Sequence, residues 1–339
     1  MSGSTILRRL FPLVVFPVLS ALALKLTFGN IRASGLRPQL EAQCPIPLGS
    51  APHRLEYTTL ESVDKALCGI VTFFHLALTP EVLPLLNYFL GSAFSLLALP
   101  AFESHRIGRA SILGLPVLVG LSMQVFTVGA VLPLYWLVFI FSGAAERKPP
   151  NASVPNAHAQ ATVFGLVVGV GVPSACLILL RDSHVTALWQ IFPVFQFIAQ
   201  AAHLLVRRSD TRSGFSWVQA LYLGAFIIAS STHLATLFGL GPDVVDLKAL
   251  FTPSVAPRLD VPMNLKAFDF LQWDLFFAFG STLLATLWFA RSASQFILLV
   301  LWNTAGSILF GPGAAIAGVA LWRESYLHSG PKSQEKKKE

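Results

Sequence analysis

ATVFGLVVGVGVPSACLILL (residues 161–180) holds twenty consecutive residues without one charged side chain. Twenty helical residues at a rise of about 1.5 Å match a bilayer hydrocarbon core of roughly 30 Å, so the run reads as a membrane span. Similar apolar runs lie on either side of it, near 10–28, 63–79, 82–100, 112–142, 184–206, 215–240, 268–290 and 295–321. The composition agrees: of 339 residues, 54% are hydrophobic and 12% charged, about half the charged share of a soluble domain. Mean hydropathy is +0.64. The expected fold is all-α, a polytopic transmembrane helical bundle of eight or nine spans with short loops. Pro80 and Pro84 flank Glu81 either in a tight hairpin or in a broken helix, which leaves both counts open. The 112–142 run, with Pro116 and Pro133, reads as one kinked helix that overruns the bilayer.

One transmembrane domain is expected over 1–322, followed by a basic cytosolic tail over 323–339. The proline-rich connections 29–62 and 241–267 are too short for domains and read as irregular caps over a bundle mouth. The formal net charge of +7 comes from lysines and arginines at the ends of apolar runs, the placement expected beside a membrane and not for nucleic-acid binding. Cys44, Cys68 and Cys176 read as packed or lipid-facing small residues, not as a metal or redox centre. The first run reads as a retained helix, since Ala21-Leu22-Ala23 is a weak cleavage site followed at once by Lys25.

Sorting the basic residues over nine spans puts Arg32, Arg37, Arg54, Arg106, Arg109 and the carboxyl-terminal tail on one, cytosolic, side, with Arg147, Lys148 and Arg212 opposite. Asn151-Ala152-Ser153 would then be a lumenal glycosylation acceptor. Lys336 and Lys337 match a dilysine pattern read by coat proteins, which points to the endoplasmic-reticulum membrane.

Acids within apolar helices are costly, roughly 2.5 kcal/mol or more at mid-bilayer, so each needs a reason. Asp274 lies inside Phe268-Asp269-Phe270-Leu271-Gln272-Trp273-Asp274-Leu275-Phe276-Phe277. Aromatic surroundings disfavour its charged form, leaving a neutral acid able to donate a proton; a hydrogen-bonded structural Asp is the alternative. Asp64 shares a helical stripe with Cys68, Val71 and His75, or else complements a helix start with Glu61. Glu103, followed by Arg106 and Arg109, is an ion pair or a second active-site carboxyl. Trp189, Gln196, Gln200 and His203 form a polar stripe on the sixth run, as do Gln219, Tyr222, Ser230 and His233 on the seventh, with Asn87, Gln124 and Asn303 as isolated amides. They serve either interhelical hydrogen bonds or a polar pocket. Phe73, Phe74, Tyr135, Trp136, Trp273, Phe276 and Phe277 form an interface belt or a pocket that steadies a cation. No closely spaced ligand set suggests a metal, and no nucleophile elbow, Walker motif or dinucleotide fingerprint is present.

Asp64-x-x-Leu67-Cys68 with Phe73-Phe74-His75, then Pro100-x-x-Glu103-x-x-Arg106-x-Gly108, then Gln124 and Pro133-Leu134-Tyr135-Trp136, resembles the fungal integral-membrane terpene cyclases of the ascochlorin and ascofuranone type. The resemblance implies an eight-span-class enzyme that cyclises the farnesyl-like chain of an epoxidised meroterpenoid, without magnesium or another cofactor, its partners being a hydrophobic prenylated aromatic epoxide and the lipid bilayer. Under it, Asp274, Asp64 and Glu103 are the candidate catalytic acids. His75, Phe74, Tyr135, Trp136, Trp273, Phe277, Gln200 and His203 are candidates for substrate binding. The competing classes are a small-molecule transporter and a non-catalytic multi-pass membrane protein.

Overall fold

A computed structural model describes residues 3–149, 152–207, 210–239 and 244–329. The first segments are α1 (Gly3–Leu24), which continues through a π-helical turn (Lys25–Gly29) into α2 (Asn30–Ala33), then α3 (Leu36–Ala42), α4 (Glu61–Ala77), α5 (Leu83–Ser92) and α6 (Phe94–Glu103). There follow α7 (Pro116–Phe126), α8 (Val128–Phe141), α9 (Asn156–Leu166), α10 (Val172–Leu180), α11 (Ser183–Trp189) and α12 (Phe192–Val206). The chain closes with α13 (Phe215–Gly239), α14 (Val244–Phe251), α15 (Met263–Thr286), α16 (Ala293–Phe310) and α17 (Pro312–His328).

Among the described residues six segments are long and apolar enough to cross a bilayer: Leu10–Ala33, Leu83–Glu103, Asn156–Leu180, Phe215–Gly239, Met263–Phe289 and Ala293–Phe310. The pair α11 and α12, bent by 66° at their junction, is either a broken seventh span or a re-entrant loop. The candidate spans among the described residues thus number six or seven, against the eight or nine expected, and three of the apolar runs differ from expectation for identifiable reasons.

The run 63–79 lies along one face. Asn264 Nδ2, at the start of α15, donates to Thr79 Oγ1 (3.3 Å), while Lys266 Nζ donates to Gln39 Oε1 on α3 (3.3 Å). At its middle α4 is tied to the same face by a disulfide between Cys44 and Cys68. The middle of α4 and the turn after it therefore both meet the face where the first span ends and α15 begins. Its 17 residues make about 25 Å of helix, short of a crossing, and Glu61, Asp64 and Lys65 crowd its first turns. The disulfide also corrects the reading of Cys44 and Cys68 as unlinked packing residues.

The run 112–142 folds back on itself. Ile107 N donates to Ser153 O (3.1 Å) and Arg147 Nη2 to Gly108 O (3.5 Å), so the chain before α7 and after α8 shares the opposite face. With 11 residues in α7 and 14 in α8, the two are about 17 and 21 Å long, enough to enter the bilayer and return but not to cross twice. The reversal falls at Thr127, whose φ of +73° is a conformation that normally favours glycine. Its hydroxyl accepts from Ala130 N (3.3 Å) and caps α8. Side by side, α8 runs parallel to α15, with Trp136 Nε1 donating to Thr282 Oγ1 (2.9 Å), and antiparallel to α1, with Ser20 Oγ donating to Ala130 O (2.7 Å). The tip of this re-entrant hairpin thus sits halfway along α15, at mid-bilayer depth.

The run 295–321 breaks at Gly311 (φ +87°), where a Cβ would lie 2.9 Å from His233 Cβ. There α16 ends, and α17 turns back toward the end of α6. Because α17 continues to His328, the boundary expected at 322/323 falls inside a helix, and Arg323 and Glu324 are buried. Interhelical amides and hydroxyls hold this part: Asn303 Nδ2 donates to Leu283 O (3.0 Å) and Thr286 Oγ1 (2.8 Å), and Tyr88 Oη pairs with His233 Nδ1 (3.1 Å).

The sorting of cations changes accordingly. Arg106 and Arg109 lie on the face of Arg147, Arg212 and Arg291, opposite Arg32, Arg37 and Arg54. Asn151, Lys336 and Lys337 lie outside the described residues.

Candidate functional site

Between the disulfide face and mid-bilayer lies a cavity of about 820 Å³, within the range of small-molecule sites. Helix α4 roofs it. Ser62, Lys65, Ala66, Gly69, Ile70, Phe73 and Phe74 line it at helical spacing, while Asp64, Cys68 and Val71, on the other face of α4, are buried. The stripe expected to carry chemistry therefore exists but turns away from the cavity. Aromatic rings make much of the wall: Phe73 packs on Phe270 (centroids 5.0 Å) and Phe74 on Trp189 (4.9 Å), with Phe28, Phe89, Phe94 and Phe192 around them.

The floor is the hairpin tip and α15. Asp274 lines the cavity with Thr127, Val128 and Gln124. Asp274 Oδ1 accepts from Gly129 N (2.5 Å), so the carboxyl caps the amino terminus of α8. The approach is close: a Cβ on Gly129 would lie 2.6 Å from Asp274 O and 2.9 Å from Asp274 Oδ1. Only glycine lets α8 reach this carboxyl. At the side, Trp189 Nε1 donates to Ser174 Oγ (3.0 Å) and Gln190 Nε2 to Thr186 O (3.1 Å), placing a small polar patch at the bend between α11 and α12. Just outside the spans, Asp182 caps α11 through His184 N (2.9 Å) and Val185 N (3.0 Å), and these N–H donors hold its carboxyl below the usual range.

The other candidates are placed elsewhere. Asp64 Oδ1 accepts from Thr58 N (2.7 Å) and Thr58 Oγ1 (2.8 Å), fixing the loop before α4. Glu103 is buried at the opposite face in a cluster with Arg106 (2.7 Å), Arg323 (2.7 Å) and Arg147 (3.7 Å), and Arg106 also pairs with Glu324. His75 rests on His53 (centroids 4.2 Å) beneath the loop. Tyr135 and Trp136 pack on each other (5.1 Å) in the core of α8. Trp273 donates to Ser254 O (2.9 Å) and stacks on Phe277 (5.7 Å), beside the cavity but not on its wall. Gln200 is buried where α12 crosses Gly165, and His203 packs against Phe164 (5.4 Å). Of the eleven candidates, Asp274 and Phe74 face the cavity. Phe270, Gln190, Thr127 and Ser174 join them without having been singled out. Among the described residues no three His, Cys, Asp or Glu side chains converge as a metal ion would require.

These features define a polytopic membrane protein with an aromatic-walled chamber and one carboxyl on its floor. The chain belongs to the CtvD-domain family, whose model matches residues 12–328. It is 28% identical over 245 residues to the protein named terpene cyclase ascI of Acremonium egyptiacum, a match covering 64% of this chain and 63% of that protein. It is 26% identical over 266 residues to terpene cyclase ctvD of Aspergillus terreus (strain NIH 2624 / FGSC A1156), covering 70% and 75%. A third relative, FAD-dependent monooxygenase verC1 of Penicillium polonicum, is 24% identical over 254 residues, covering 67% of this chain but 31% of that longer protein. No solved structure gives a significant match.

Proposed function

We propose that the protein is a membrane-bound terpene cyclase that closes the epoxidised farnesyl-like chain of a prenylated aromatic compound into rings. The observation that carries this reading is Asp274, held at the floor of a cavity whose walls are aromatic. Asp274 lines the chamber, and its carboxyl carries the proton in this reading. That proton passes to the epoxide oxygen, the C–O bond opens, and the nearest alkene supplies its electron pair to form a C–C bond. Aromatic faces steady the cation that moves along the chain. A proton is then lost from carbon, so the product is an isomer of the substrate. Two relatives named as terpene cyclases support this class of reaction.

Transport is the weaker reading, because a permeation path would have to pass the packed ionic cluster around Glu103. The deciding experiment expresses the full chain in yeast, feeds its microsomes an epoxidised farnesyl-phenol, and seeks an isomer of unchanged mass by mass spectrometry and NMR. Unconverted substrate, with folded protein present, overturns the cyclase assignment.

The membrane is that of the endoplasmic reticulum in this reading, with the disulfide face lumenal, since disulfides persist in oxidising compartments. Both α1 and α17 then have their outer ends at the cytosolic face. In intact microsomes an impermeant maleimide is expected to label Lys148→Cys directly and Arg181→Cys only after permeabilisation. The reverse pattern inverts the orientation.

A further inference from the structure

The cavity is charged at two places only. Its floor carries Asp274, and its mouth on the disulfide face carries Arg37 and Glu41 from α3 and Lys65 from α4. Arg37 Nε lies 2.9 Å from Glu41 Oε1, one helical turn along, so this pair largely neutralises itself. Lys65 makes no ion pair among the described residues. It stands on the cavity face of α4, in line with Ser62, Gly69 and Phe73, and leaves the mouth with one unbalanced positive charge. Between mouth and floor the lining is overwhelmingly aromatic and aliphatic.

Depth fixes how a long substrate must lie. Lys266 of α15 is at the mouth level, bonded to Gln39 of α3, and Asp274 lies eight residues further along the helix, about 12 Å deeper. A chain of three isoprene units bridges that depth, with its reactive end at Asp274 and its aromatic head beside α3 and α4. We infer that Lys65, assisted by Arg37, selects substrates whose aromatic head carries an acidic group, a phenolate or carboxylate, and seats that head at the mouth. The inference rests on the cyclase reading for the identity of the chain, and on the charges at the mouth for the identity of the head. A cationic head is repelled there, and a neutral head gains nothing from Lys65.

The test compares a farnesyl-phenol epoxide bearing a free aromatic carboxylate with its methyl ester, which keeps the chain and epoxide but loses the charge. Wild-type microsomes are expected to show a KM about fivefold lower for the acid, the size of effect an exposed or half-buried charge contact produces. Lys65→Ala is expected to erase the ratio and Lys65→Glu to invert it, whereas Arg181→Ala, a cation of the same face outside the cavity wall, keeps it. Equal KM values for acid and ester in wild type, or a ratio unmoved by Lys65→Glu, overturn the inference. Binding of the tritiated, epoxide-free acid and ester to the solubilised full-length protein gives the same comparison without turnover. Loss of turnover with preserved selective binding refutes the cyclase reading alone; equal binding of acid and ester, unchanged in Lys65→Glu, refutes the selection of an acidic head.

Discussion

Asp274→Asn is expected to lower isomer formation by at least about a hundredfold, the usual worth of a positioned proton donor, while abundance and melting temperature stay near wild type. The reason lies in what each oxygen does. Oδ1 accepts Gly129 N at 2.5 Å and caps α8. An amide carbonyl in the same place accepts that bond equally well, so the hairpin remains docked on α15. What the amide lacks is an acidic proton to give. It also lacks the capacity to become an anion when that proton leaves, and the amino terminus of α8, with its partial positive charge, is placed to steady such an anion. Asp274→Ala separates the two roles: it leaves the buried Gly129 N–H without an acceptor, at a cost of about 1–3 kcal/mol, and is expected to lower the melting temperature as well. Turnover at the wild-type rate in Asp274→Asn, measured per folded protein, would remove Asp274 from the chemistry.

Asp274 stands out in the bare sequence because the signal is local: a carboxyl within an aromatic helix is costly wherever the helix goes. Other parts of the chamber were not visible that way, because they are set by contacts between distant segments. Periodicity shows that α4 has two faces but not which one looks into a cavity, so the Asp64, Cys68, Val71 and His75 stripe competes evenly with the Ser62, Lys65, Gly69 and Phe73 stripe. The hairpin of α7 and α8 is likewise hidden. Its sequence is an unbroken apolar run, and the reversal at Thr127 depends on both its ends being fastened to one face, through Ile107 to Ser153 and Arg147 to Gly108. Once the hairpin is known, Thr127 and Gln124 fall on the cavity floor, while Tyr135 and Trp136, which the aromatic pattern suggested for the pocket, are carried away into the α8 core. The disulfide joins residues 24 apart, a loop closure that hydrophobic patterning does not encode.

Glu103→Gln is expected to act on stability and not on chemistry. Glu103 and Glu324 face Arg106, Arg323 and Arg147 at the end of the bundle farthest from the chamber mouth. Both acids and two of the arginines, Arg106 and Arg323, are at most 6% exposed. Arg106 further donates to Ala152 O (2.5 Å) and Arg323 to Ala144 O (3.0 Å), so the cluster ties α6 and α17 to the connection between α8 and α9. With one acid neutralised, three buried or half-buried guanidinium groups share a single carboxylate. Removing one partner of a buried pair typically costs about 3–5 kcal/mol, because the charge left behind has lost its solvent without keeping its counterion. The expected result is a strong fall in steady-state protein and a lowered melting temperature in detergent, with turnover per folded molecule preserved. Arg106→Met should behave alike, since it leaves Glu324 with only the longer contact to Arg323 (3.7 Å), which Glu103 shares. Full abundance of Glu103→Gln with turnover lost would instead make Glu103 a working acid, and would require the chamber to open toward the α6 end during the reaction.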